Sequence, residues 1–162
     1  MTSTRDRLIA DLRASGEQAL AALRAVPEAD FATGRYESGW DACQILAHLA
    51  AIEWTYGRLV DLAGQPAPAG GGSSNERAAE VRGGMDGYNA RQVEKRAGAS
   101  VAELLAEFET NRQKTIATVE SADEALFDTA VRSAGGRTGT LAQVFREVAI
   151  EHLEGHVRDI AG

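Results

Sequence analysis

The sequence predicts an all-α protein: a four-helix bundle with an additional crossover helix between bundle helices two and three. Three observations carry that expectation. Ala, Leu, Arg and Glu dominate, and no sustained alternation of β-branched residues occurs. Apolar residues recur every three or four positions in four long segments. Capping residues and Pro or Gly stops bracket those segments.

The first helix is expected over Arg5–Ala25, with Leu8, Leu12, Ala19, Leu20 and Leu23 near helical spacing and Pro27 ending it. The second is expected to start after Ser38 as N-cap and to reach Leu62, its stripe being Ile45, Leu49, Ile52, Tyr56 and Leu59. Gly64 to Asn75, GQPAPAGGGSSN, reads as a linker. A crossover helix follows over Glu76–Arg96, weakened by Gly83, Gly84 and Gly87. Ser100 and Glu103 form a capping box for a helix carrying Leu104, Leu105, Phe108, Ile116 and Val119. Ser121–Glu124 repeats the capping pattern before a short turn at Leu126 and Phe127. Thr140 and Gln143 form another capping box, opening a last helix that runs to Ile160.

Composition narrows the class. At 162 residues, 44% hydrophobic and 25% charged, the chain suits one domain over residues 1–162. No apolar run of membrane-spanning length and no signal-peptide pattern occur, so a cytoplasmic protein with no membrane partner is expected. The lone Cys43 excludes an intramolecular disulfide framework. A net charge of −7 argues against nucleic-acid partners.

The three histidines carry the chemistry. In the last helix Leu141, Phe145, Val148, His152, His156 and Ile160 form one core-facing stripe, with two imidazoles where apolar groups are expected. Residues four apart sit one turn apart, so both rings can converge on one ion. His48 lies beside Leu49 on the buried side of the second helix, and antiparallel packing would bring all three to one height. A single buried histidine is more often a neutral ring with a neighbouring hydrogen-bond partner, and an isolated HxxxH is a weak metal signal. Three together would each need a buried partner, a need that one shared divalent cation satisfies. Three nitrogen donors leave a position open, as in an active rather than a structural site.

Two other groups are candidates to orient the ligands from behind. Glu53, five residues after His48, is turned about 140° from it on an ideal helix, which makes direct reach to an ion doubtful. Gln44, one turn before His48, is better placed to steady its ring or a bound water. An ordinary surface or helix-pairing role is equally open to both. Trp40, Trp54 and Tyr56 could line a pocket or pack the core, and Cys43 reads as a small apolar residue.

The stretch GWDACQILAHLAAIEW, with Trp40, His48 and Glu53, and the terminal EHLEGHVRDI, with His152 and His156, resemble the DinB superfamily. That group includes bacterial thiol S-transferases and the N-terminal domain of a mycothiol-dependent isomerase. The resemblance implies an up-down-down-up bundle holding one divalent ion, Zn²⁺ or Ni²⁺, on His48, His152 and His156. In that order the second helix and the helix from Ser100 run parallel, so the chain must return the length of the bundle between them. A helix of ~24 residues is about 36 Å long, and a 12-residue linker extends to about 40 Å, so the stretch from Gly64 to Gly98 is ample. The isomerase carries a second domain, for which this chain has no room.

The implied activity is a metal-dependent transfer of a low-molecular-weight thiol, of mycothiol or bacillithiol type, onto a small electrophile. Fifteen arginines against two lysines fit a GC-rich genome and hence mycothiol. The alternatives are a metal-dependent hydrolase and a non-catalytic, metal-stabilised module that binds a small molecule or a partner. No catalytic acid or base is assigned. A small-molecule substrate and a homodimer are the expected partners.

Overall fold

The computed structural model describes residues 1–36, 38–66 and 77–162. Helix α1 (Thr4–Arg24) starts at Ser3, whose hydroxyl accepts the Asp6 backbone N–H at 3.1 Å. A 3-10 turn over Glu28–Ala32 buries Phe31 and leads to α2 (Ala42–Glu53). Helix α3 (Gly57–Ala63) continues from α2 after a tight turn. Strand β1 (Arg77–Ala78) precedes α4 (Gly84–Lys95), and α5 (Val101–Ser121) follows. A second 3-10 turn, Glu124–Asp128, leads to the hairpin β2 (Ala130–Arg132) and β3 (Thr138–Thr140). The last rod is α6 (Leu141–Phe145), a π turn (Arg146–Glu151) and α7 (His152–Ala161).

The expected four-helix bundle is present, and side-chain partners give its directions. Along α1 and α5 the pairs Arg24–Glu109 and Arg13–Glu120 run in opposite order, continued by Arg5–Glu124 just beyond α5, so these helices are antiparallel. Ala50 and Glu53 of α2 meet Asn111 and Thr115 of α5 in the same order, hence parallel. His48 and Tyr56 meet His152 and Val148 in reverse, so α2 opposes the last rod. The order is therefore up-down-down-up.

Several elements differ from the sequence expectation. The second helix does not begin after Ser38: Asp41 is the N-cap, forming a capping box with Gln44, while the Ser38 hydroxyl only accepts the Trp40 N–H. Nor is that helix continuous to Leu62. At Thr55 the side-chain hydroxyl donates to the Ile52 carbonyl at 2.7 Å, and backbone bonds tighten to the i−3 spacing through Leu59. The crossover helix starts at Gly84, later than Glu76, because Gly83 and Gly84 both adopt left-handed φ. Asp123, rather than Ser121, caps the turn at Leu126 and Phe127. Of the linker read from Gly64 to Asn75, only Gly64–Pro66 fall among the described residues. The three-stranded sheet, in which β2 pairs parallel with β1 and antiparallel with β3, is an addition to the all-α reading. Its strands are two or three residues long, too short to show alternation.

The core has two apolar halves. One gathers Leu8, Leu12, Ile52, Phe127 and Phe145; the other Leu20, Leu23, Ile45, Leu104 and Phe108. Between them lies a buried polar layer centred on Arg112. Its Nε donates to the Leu12 carbonyl at 3.1 Å, Nη1 to both Glu53 carboxylate oxygens at 3.0 and 3.1 Å, and Nη2 to Ser15 Oγ at 2.7 Å and the Ala149 carbonyl at 2.8 Å. All five guanidinium N–H donors are thus matched, by α1, α2 and the last rod. Gly16 permits this: a Cβ there would lie 3.2 Å from Arg112 Cγ, a side chain with no freedom to retreat.

Removing one partner leaves a buried charge unpaired. Arg112→Met is expected to destabilise the fold by about 3–5 kcal/mol in urea unfolding. Glu53→Met combined with Arg112→Met should cost less than the two single losses added together. Additive losses would show that the pair is not coupled.

Candidate metal centre

Helix α2 and the last rod carry the histidines on faces that meet. His48 is buried and His152 and His156 are half-buried. The His48 and His152 Nε2 atoms lie 3.4 Å apart, and those of His152 and His156 3.1 Å. The three rings stand nearly perpendicular to one another, with interplanar angles of 86°, 80° and 83°. Tetrahedral ligands about 2.0–2.1 Å from an ion are spaced about 3.4 Å apart. The donor set therefore fits a divalent metal ion, and its ligand atoms all lie within 4.8 Å of one another.

Against burial and His156, the Val148 backbone pulls the His152 pKa upward. A carboxylate oxygen of Asp159 is 3.5 Å from His156 Nδ1. Among the described residues His156 Nδ1 is buried without a hydrogen-bond partner, and a proton kept on Nδ1 leaves Nε2 as a lone-pair donor. Burial, reinforced by the neighbouring imidazoles, pushes His48 down to about 3 and His152 to about 4. Burial also lowers His156, against the pull of Asp159. All three rings are therefore neutral near pH 7.

A π turn sets the second helix face. The His152 N–H bonds the Glu147 carbonyl five residues back, and the Tyr56 hydroxyl donates to the Val148 carbonyl at 2.6 Å. Burial raises Tyr56 well above its ordinary value, so the phenol remains a donor. On a regular helix Glu147 would be turned about 140° from His152. The i→i+5 closure stacks them instead, and both line one cleft.

That cleft, about 510 Å³, opens against His48 and His152. Ile52, Tyr56, Leu59, Met85 and Val148 give it an apolar floor. Its walls are the segment from Ala79 into α4 and the β2–β3 hairpin around Ser133–Gly135. Sequence reasoning missed these walls and Glu147, because no helical stripe contains them.

The structure does not bring the other two candidates to the imidazoles by any hydrogen bond. Gln44 is exposed, and its side-chain oxygen accepts the Asp41 N–H at 2.9 Å. Glu53 is fully engaged with Arg112; burial pushes its carboxyl up while the guanidinium pulls it down. Trp40 packs its ring 5.5 Å from that of His48. Trp54 is exposed, with the Arg58 guanidinium 4.6 Å from its ring. Burial, then Asp41, raises the Cys43 thiol, which disfavours a thiolate.

With this geometry established, the comparisons are decisive for the family. A DinB-superfamily model matches residues 34–160. The chain belongs to the DinB superfamily. The mycothiol-dependent maleylpyruvate isomerase matches this DinB chain with a TM-score of 0.73 at 16% identity, over 100% of this chain and 64% of the isomerase. YfiT from Bacillus subtilis, a probable metal-dependent hydrolase with an unusual four-helix bundle topology, matches with a TM-score of 0.68 at 16% identity, over 96% and 83% of the two chains. This chain thus spans less than two thirds of the isomerase. A search of curated proteins finds no match. Among the described residues no helix is long and apolar enough to cross a membrane.

The buried imidazoles predict a pH dependence. Unfolded histidines titrate near 6.5, whereas folded His152 and His48 resist protonation down to about 4 and about 3. Between those limits the unfolded chain binds more protons, so stability falls as pH drops from ~6.5 toward 4. Urea midpoints measured across that range should decline, and His48→Gln should flatten the slope. An identical slope in His48→Gln would contradict the burial of that ring.

Proposed function

We propose that this DinB protein binds one divalent ion, Zn²⁺ or Ni²⁺, on His48, His152 and His156, and transfers a low-molecular-weight thiol onto a small electrophile. The observation that carries the reading is the convergence of three neutral Nε2 donors at the end of a small-molecule-sized cleft. An ion held by these residues would lower the pKa of a thiol or water ligand toward neutrality. The apolar floor excludes water from one side of the substrates, and Tyr56 and the π turn hold His152 in place. As the S–C bond forms, Glu147, on the same cleft, takes the thiol proton, and the electrophile's displaced electron pair leaves with its leaving group or, on a multiple bond, takes that proton up. The likeness to a mycothiol-dependent enzyme supports a thiol of mycothiol or bacillithiol type.

Hydrolysis is the second reading, favoured by the likeness to YfiT and by the same carboxylate, which can take a proton from water instead.

Elemental analysis of purified protein should find close to one divalent ion per chain, lost in His152→Ala. Metal retained after loss of two histidines would remove the site. Metal-loaded protein should form thiol adducts across a panel of electrophiles, with Glu147→Gln slowed about 100-fold at unchanged metal content. Ester hydrolysis without thiol adducts selects the hydrolase. Neither reaction selects a binding module.

A further inference from the structure

The cleft has a charge pattern at odds with the rest of the chain. Net charge is −7, yet four arginines, Arg58, Arg82, Arg91 and Arg137, are among the residues lining this one cavity, against two acids, Glu80 and Glu147. They come from three separate places: α3, the segment leading into and along α4, and the β2–β3 hairpin. Arg137 lies 3.8 Å from Glu147 and is shared with it. Arg58 stacks over Trp54, and Arg91 Nη2 donates to the Arg82 backbone carbonyl at 3.0 Å. Among the described residues no carboxylate lies within ion-pair distance of Arg58, Arg82 or Arg91. Four arginines against two acids leave the lining net positive, and a bound divalent ion would add to the same sign.

We propose that the cleft recognises an amphipathic anion, a small molecule whose carboxylate or phosphate rests on the guanidiniums of Arg82, Arg91 and Arg137. Its apolar body covers Ile52, Tyr56 and Leu59, and its reacting end faces His48 and His152. The inference names the substrate class of the proposed transferase and rests on that reading for the role of the inner end. Guanidinium forks bind either oxyanion, while the apolar floor rejects a fully hydrated ion such as free phosphate.

Calorimetry on the metal-loaded protein with phenylacetate, phenyl phosphate and uncharged phenylacetamide tests this. At least one of the two anions should bind about tenfold tighter than the amide, and the preference should shrink with added salt. Which anion leads separates a carboxylate from a phosphate substrate. Arg82→Gln with Arg91→Gln should abolish the preference at unchanged metal content. Arg137→Gln, on the other wall, should reduce it without disturbing the Arg82–Arg91 bond. Equal binding of anions and amide, or no binding, overturns the proposal. A preference that survives the arginine variants but disappears in His152→Ala means that the ion reads the charge; the anion site then falls and the metal reading stands. An arginine-dependent preference in protein that carries no metal does the reverse.

Discussion

The Arg112 guanidinium is the constraint from which the bundle is built outward. Its five donors reach α1, α2 and the last rod, so one planar group sets the relative height of four helices. Apolar contacts alone would tolerate sliding, because one leucine replaces another at little energetic difference. An unmatched guanidinium or carboxylate in the core tolerates none. Glu53 lies five residues after His48, and Ala149 three before His152. Anchoring both to Arg112 fixes the two histidines opposite each other, although no atom of the polar layer forms part of the ligand set.

The bundle supplies the three imidazoles and the additions supply the cleft. Hairpin β2–β3 and the segment before α4 stand over the face on which His48 and His152 emerge. Their short strands hold one another through main-chain bonds, with β1 running parallel to β2 across a large sequence separation. Burial keeps the imidazoles neutral, while four arginines lie among the other lining residues. The lining therefore brings uncharged imidazoles, apolar side chains and an excess of arginines over carboxylates into one cavity.

Most of the bundle was legible because its signals are local. Capping boxes at Ser100 and Thr140 and the 3–4 rhythm of leucines depend on residues within one turn, and they locate α5 and the start of α6. The histidines were legible for a related reason: an imidazole on an apolar stripe is conspicuous. Arg112 carries the same kind of signal, since it falls in line between Phe108 and Ile116, and Glu53 sits beside Ile52 on the facing helix. Neither was paired with the other, because a partner 59 residues away leaves no periodic trace. Gln44 illustrates the opposite failure. Its spacing from His48 is right, but the N-cap of α2 starts at Asp41, and the local bond takes the side chain. The hairpin and the π turn were invisible, the first for want of length and the second because a one-residue change of pitch has no compositional signature.

That change of pitch divides the last rod into two phases. Each residue of an α-helix advances about 100°, so the single extra residue accommodated in Arg146–Glu151 offsets everything after it by roughly that angle relative to everything before. Leu141, Val144 and Phe145 can then be aligned for packing, and His152 and His156 aligned for binding, as two independent settings on one continuous backbone. The core-facing and ligand-bearing halves are thereby free to diverge in sequence without either dragging the other out of register.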